Sequence, residues 1–149
     1  MTHHYQARMR AALYIREEFG PSSSVEAQQA ALRDFVQQHH PGWRIVGTYY
    51  DTTPGNEALS RRPGLRSALR AATAGEFDVL IAPELNRINR RMDYFSDLAQ
   101  KFDAVSVALL TADSMIDTTT PVGRLLITIL ASVTTYERLP EQERAAREA

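Results

Sequence analysis

Residues 11–42 read AALYIREEFGPSSSVEAQQAALRDFVQQHHPG, and the change of pattern within them decides the fold. The run from Ala11 to Ile15 is short and continuously apolar, as a strand buried on both faces is. It ends at Arg16, and 17–21 form the loop that leaves it. Ser23 and Glu26 have the Ser-x-x-Glu spacing of a capping box, which satisfies backbone N–H groups left open at a helix start. Val25, Leu32, Phe35 and Val36 then recur at helical spacing until His40-Pro41-Gly42 stops the helix. One strand followed by one helix is the unit, and it repeats.

Residues 43–50 are rich in aromatic and β-branched side chains and read as a second strand, leading into the turn-rich segment 51–60 with Pro54-Gly55. A helix over 62–74 has Pro63 in its first turn and Gly75 past its end. A buried strand over 77–82, a helix over 92–102 and a strand over 104–111 follow, and Thr120-Pro121 opens a last helix. Alternation of this kind implies right-handed crossovers and an α/β fold, a mainly parallel sheet of four to five strands flanked by helices. Ligands of such sheets bind outside the carboxyl ends of the strands, which brings 16–20, 51–62 and 83–90 together. One domain over 1–149 is expected.

Of the 149 residues, 44% are hydrophobic, enough for a single core. The chain has no cysteine, which removes disulfides, thiolate metal sites and thiol nucleophiles and suits a reducing cytoplasm. The longest apolar stretch, 125–133, is broken by Thr128 and Ser132 and is too short for a membrane span. A formal net charge of -1 argues against bulk coating of nucleic acid, so any DNA contact is local. Positive charge clusters at Arg61, Arg62, Arg66 and Arg70 and at Arg87, Arg90 and Arg91, with Lys101 the only lysine. Guanidinium groups suit phosphate oxygens, although composition alone favours a solvated arginine-rich face. His3-His4 and His39-His40 lack a carboxylate cluster at ligand spacing, and Glu84, Asp113 and Asp117 are dispersed, so no metal or other cofactor is expected. The last helix carries Val122, Leu125, Leu126, Ile129, Leu130 and Val133 in one stripe, widened by Ile127 and Ala131. In so short a chain this favours a homodimer or tetramer through 122–135.

Several pieces in order resemble the catalytic domain of the resolvase/invertase-type serine recombinases. They are Tyr14-Ile15-Arg16, Val25-Glu26-Ala27-Gln28, Asp51 with Gly55, Arg62-Pro63-Gly64-Leu65, Phe77-Asp78-Val79-Leu80, and Leu85-Asn86-Arg87-Ile88-Asn89-Arg90. Asp117 to Arg124, Tyr136-Glu137-Arg138 and Glu143-Arg144 continue the match. The resemblance implies a domain that cuts DNA through a serine, holds the broken end as a phosphoserine ester and exchanges strands within a tetramer, without cofactor. It implies that Arg16, Arg62, Arg87 and Arg90 hold the scissile phosphate, with Tyr14, Gln28, Asp51 and Asn86 supporting the pocket. If 86–91 is helical, the spacing of three sets Arg87 and Arg90 on one face.

Three departures stand against the pattern. Glu18 occupies the position of the serine, two residues after Arg16. Asn86 stands where the family places aspartate, so Glu18 is expected to replace that carboxylate as partner of Arg87 or Arg16. Pro140 interrupts what the family builds as a long helix, at a cost of roughly 3 kcal/mol, and a break is expected near 136–139. The family's C-terminal DNA-recognition module is expected to be absent. Three readings follow: a recombinase domain acting on the DNA backbone, a non-catalytic relative that associates with itself or an active recombinase, and a metal-dependent nuclease using Glu18.

Overall fold

The computed structural model describes residues 8–17, 24–52, 57–89 and 91–137. Four strands, β1 (Arg10–Arg16), β2 (Arg44–Asp51), β3 (Val79–Ala82) and β4 (Ala108–Thr111), form one parallel sheet in the order β2-β1-β3-β4. Four helices flank it: α1 (Val25–His39), α2 (Pro63–Thr73), α3 (Met92–Ala104) and α4 (Pro121–Glu137). A 3-10 turn at Leu59–Arg61 and a single helical turn at Leu85–Ile88 lie in the loops after β2 and β3. The α/β class and the parallel sheet agree with the sequence reading.

Strand alternation divides the core in two. Ala11, Leu13, Ile15, Val79, Ile81, Ala108 and Leu110 face α1, packing with Leu32, Val36 and Trp43. Ala12, Tyr14, Leu80, Ala82 and Leu109 face the other way, into a cluster built with Leu65, Phe95, Phe102 and Ile127 from α2, α3 and α4. Both clusters are almost fully buried. This is why β1 and β3 read as unbroken apolar runs.

A β-bulge then sets what the site contains. Ala11 pairs with Ile45, but Ala12 pairs with Gly47, so β2 holds one extra residue at Val46. A one-residue offset turns every later side chain of β2 to the opposite face. Gly47, Tyr49 and Asp51 consequently share the face of Ala12, Tyr14 and Arg16, and Asp51 lies beside Arg16 at the end of the pair.

Three local expectations need correction. Ser24, not Ser23, caps α1: its backbone is extended, and its hydroxyl accepts from Ala27 N at 3.1 Å. Glu26 is therefore one position too early to close a capping box, and stands in the first turn, where its charge suits the helix dipole. β3 starts at Val79 rather than Phe77, and β4 at Ala108 rather than Ala104. α3 runs on to Ala104, and Ser106, at φ 61°, turns the chain before β4 can begin. Gly75 takes the left-handed conformation (φ 76°) expected of a residue that ends α2.

Between β1 and β3 the chain order reverses, the crevice where open α/β sheets bind ligands. At the opposite end of the sheet, Arg10 donates to both oxygens of Asp78, at 3.2 Å and 3.1 Å, tying the starts of β1 and β3. Among the described residues no helix is long and apolar enough to cross a membrane.

Candidate active site

Asp51, last residue of β2, is the hub of the crevice. Its Oδ1 accepts from Gly64 N at 2.6 Å and its Oδ2 from Leu65 N at 2.9 Å, so a charged side chain satisfies the open N–H groups of α2. Gly64 permits this approach, because a Cβ there would stand 2.1 Å from the Tyr50 carbonyl oxygen. Tyr14 Oη donates to Asp51 Oδ2 at 2.7 Å and accepts from Arg62 Nη2 at 2.6 Å. Burial, foremost, pushes the Tyr14 hydroxyl far above its ordinary pKa, with Asp51 adding to the rise and Arg62 opposing it. The hydroxyl therefore stays protonated and keeps donating.

Arg62 is sealed. At 0% exposure it lies against the Tyr14 ring, 5.4 Å from its centroid, and donates to the carbonyls of Arg87 (2.7 Å) and Ile88. It thus ties the Leu85–Ile88 turn to β1. Arg16 (1% exposed) and Arg87 (8%) lie in the same crevice. The carbonyl of Arg16 accepts from Gln28 Nε2 at 2.9 Å and from Arg87 Nη1 at 3.2 Å, which joins α1, β1 and the turn at one oxygen. Glu84 Oε1 stands 3.4 Å from Arg87 Nε.

Tyr14, Arg16, Gln28, Asp51, Arg62 and Arg87 are accordingly brought together from five parts of the chain. The expectation of a helix through 86–91 fails: the turn stops at Ile88, and Asn89 is extended (φ −164°, ψ 141°). The helical condition for setting Arg87 and Arg90 on one face is therefore not met at Asn89. Asn89, to which the motif gave no role of its own, stands at the end of the turn. Buried, it donates to Glu57 O at 2.9 Å and accepts from Arg91 N at 2.9 Å, exchanging helical bonds for a clamp between two loops. Glu18, Arg90 and the side chain of Asn86 lie outside the described residues, as do Ser22, Ser23, Gly55 and Pro140. No group of three or more His, Asp or Glu side chains among the described residues could hold a metal ion.

The family model described as the resolvase N-terminal domain matches residues 11–149. The chain belongs to this family. The resolvase domain is 34% identical over 101 residues to a resolvase/recombinase of Pseudomonas putida, covering 68% of this chain and 54% of that protein. It is 29% identical over 103 residues to the DNA-invertase of Escherichia phage P1, covering 68% and 53%. It thus spans about half the length of these relatives. Among solved structures it is similar to the N-terminal catalytic domain of TP901-1 integrase, with a TM-score of 0.75, 23% identity, and coverage of 87% of this chain and 96% of that one. It is also similar to a resolvase family site-specific recombinase from Streptococcus pneumoniae, with a TM-score of 0.71, 21% identity, and coverage of 94% and 93%. The fold is that of a resolvase-like catalytic domain.

In the resolvase domain the last helix packs on the core through one side only, with Ile127 in the core cluster and Leu130 against it. Ile127 is buried, whereas Val122, Leu125, Leu126, Ile129 and Val133 are 47–69% exposed along one side of α4. The start of α4 is fixed: Thr120 Oγ1 accepts from Gly123 N at 3.0 Å, and a Cβ on Gly123 would meet the Asp117 carbonyl oxygen at 1.5 Å. α4 is helical through Tyr136 to Glu137, and the rest of the 136–139 stretch where a break was expected lies outside the described residues.

Proposed function

We propose that this resolvase domain serves site-specific DNA recombination, with a crevice built to hold a backbone phosphate and with Glu18 standing where the family's serine nucleophile would be. The observation that carries the reading is the convergence of Arg16, Arg62 and Arg87 with Tyr14, Gln28 and Asp51 at the β1/β3 switch point. Attack on a phosphodiester builds negative charge on the phosphoryl oxygens, and fixed guanidinium groups in a water-poor crevice stabilise it without reorganising. Arg16 and Arg87, joined by Arg90, are the groups assigned to the phosphate. Arg62 works behind them, holding the turn that carries Arg87.

A serine oxygen attacking phosphorus would yield a phosphoserine ester and release a sugar hydroxyl. A carboxylate attacking in its place would yield an acyl phosphate, which water destroys, and its charge would repel the incoming DNA backbone. The unaltered protein is therefore silent in strand cleavage. The exposed stripe of α4 favours a companion role, association with further copies or with an active recombinase, exercised in the cytoplasm where DNA is at hand.

The test compares the protein with its Glu18→Ser variant, each fused to the same external DNA-binding module, for protein covalently attached to DNA ends after denaturation. An active recombinase catalytic domain in the same fusion is the control. An adduct from the serine variant alone supports the reading. An adduct from the unaltered protein would transfer the nucleophile to another residue, Ser22 or Ser24 first. No adduct from either, with the control reacting, would overturn the phosphate-holding crevice.

A further inference from the structure

The crevice uses Arg62 and leaves the remainder of the first arginine cluster outside. Arg61, Arg66 and Arg70 are exposed. Arg66 and Arg70 stand one helical turn apart on α2, and with Leu59, Ser60, Leu69 and Thr73 they line a shallow open groove of about 550 Å³. Arg61 reaches Glu57 at 3.9 Å. Neither Arg66 nor Arg70 forms an ion pair among the described residues, and Arg66 Nη1 has only a long contact with Ser60 O at 3.5 Å. Arg33 and Arg44 are exposed arginines too, but they do not line this groove. Arg66 and Arg70 differ in converging on one channel whose floor is part apolar and part hydroxyl.

Their position gives the channel a direction. α2 begins beside the crevice with Arg62 as its N-cap. At roughly 1.5 Å of rise per residue, Arg66 and Arg70 stand about 6 Å and 12 Å farther along the same helix. Arginines at these intervals continue the positive charge of the crevice outward in a line. A small anion held by a dedicated site would need enclosed, buried donors; here the donors are solvated and spaced, as suits a polyanion that passes over them. One strand of duplex DNA offers a phosphate about every 3.4 Å of helix axis, so two turns of α2 face several phosphates. With a net charge of -1 the domain depends on such local lines of charge.

We propose that the α2 groove, through Arg66 and Arg70, binds the DNA phosphate backbone flanking the phosphate held in the crevice. The proposal rests on the DNA reading above and adds a contact that neither cleaves nor reads sequence. Side chains of this kind position the duplex.

The experiment measures binding of a fluorescent duplex by anisotropy over a series of salt concentrations, beginning at low ionic strength. The unaltered protein is compared with the double variant Arg66→Gln, Arg70→Gln. Each phosphate contact contributes about 0.9 to the slope of log affinity against log salt, so the variant is expected to lose about 1.8 of that slope. Its melting temperature should be unchanged, both side chains being exposed. Equal slope and affinity for the two proteins would overturn the groove and leave the DNA reading standing. No salt-dependent binding by the unaltered protein would overturn both. Loss of binding to poly-glutamate with DNA binding unchanged would overturn the proposal in favour of an acidic protein partner.

Discussion

Replacing Asp51 by asparagine tests whether the crevice is held together as described. The carboxylate accepts from Gly64 N, Leu65 N and Tyr14 Oη at 2.6, 2.9 and 2.7 Å, and is almost completely buried. Asparagine keeps one oxygen. Its amide nitrogen cannot accept, so at least one of these donors faces another donor and the rest lose a charged partner. Hydrogen bonds to charged groups are worth about 1.5–3 kcal/mol, and loss of a helix cap costs about 0.5–2 kcal/mol. The loss of one bond and weakening of the others predicts a destabilisation of about 3 kcal/mol. In a domain of this size that lowers the melting temperature by about 6–12 °C. Urea unfolding should show a lower midpoint with an unchanged slope. Tyr14→Phe removes the link to Arg62 and should cost about 1–2 kcal/mol; combined with Asp51→Asn it should show coupling above about 0.5 kcal/mol, because the two share a bond. A loss below about 0.5 kcal/mol for Asp51→Asn, or strict additivity of the pair, would refute the hub.

Arg62→Met should destabilise by about 2–4 kcal/mol, since two buried carbonyls lose their donors while a buried cation is relieved. Hydrogen exchange should quicken in the Leu85–Ile88 turn and remain slow in α1; unchanged protection in the turn would contradict the bracing role. Leu125→Asp with Ile129→Asp should shift sedimentation from an oligomer to a monomer without loss of helicity, and an unchanged mass would remove α4 from the interface. His40 stacks on Trp43, with ring centroids 3.7 Å apart, and burial, opposed by Asp117 and aided by His39, lowers its pKa. Below the unfolded value of about 6.5 the unfolded chain takes up the proton first, so stability is full above that pH and falls as pH drops toward the folded value. His40→Asn should flatten this part of the pH–stability curve, and an identical slope in the variant would contradict the assignment.

The sequence carried the strand and helix order because β1, β3 and β4 are buried on both faces and the helices are bounded by Pro63, Gly75 and Pro121. It did not carry the bulge at Val46, which depends on how β2 meets β1 and alone turns Asp51 toward Tyr14. The Ser-x-x-Glu spacing pointed to Ser23 as the cap of α1, whereas the extended backbone and the bond from Ala27 N place the cap at Ser24. The arginines were legible as a group, but their division of labour was not. Arg62 has the same chemistry as Arg87 and differs only in being closed over by a turn whose carbonyls it satisfies. Asn89 stood within the family motif without a role of its own. Its burial between the Glu57 and Arg91 backbones depends on one contact 32 residues away in sequence and one only 2 residues away.

Under the proposed function the crevice stabilises a reacting phosphate and lacks only its nucleophile. The most direct measurement compares covalent DNA adduct formed by the Glu18→Ser variant with that formed by Glu18→Ser carrying Arg87→Gln, both verified as folded by circular dichroism. Removal of one preorganised donor should reduce the rate of adduct formation about 10²–10³-fold. Equal rates in the two proteins would contradict the claim.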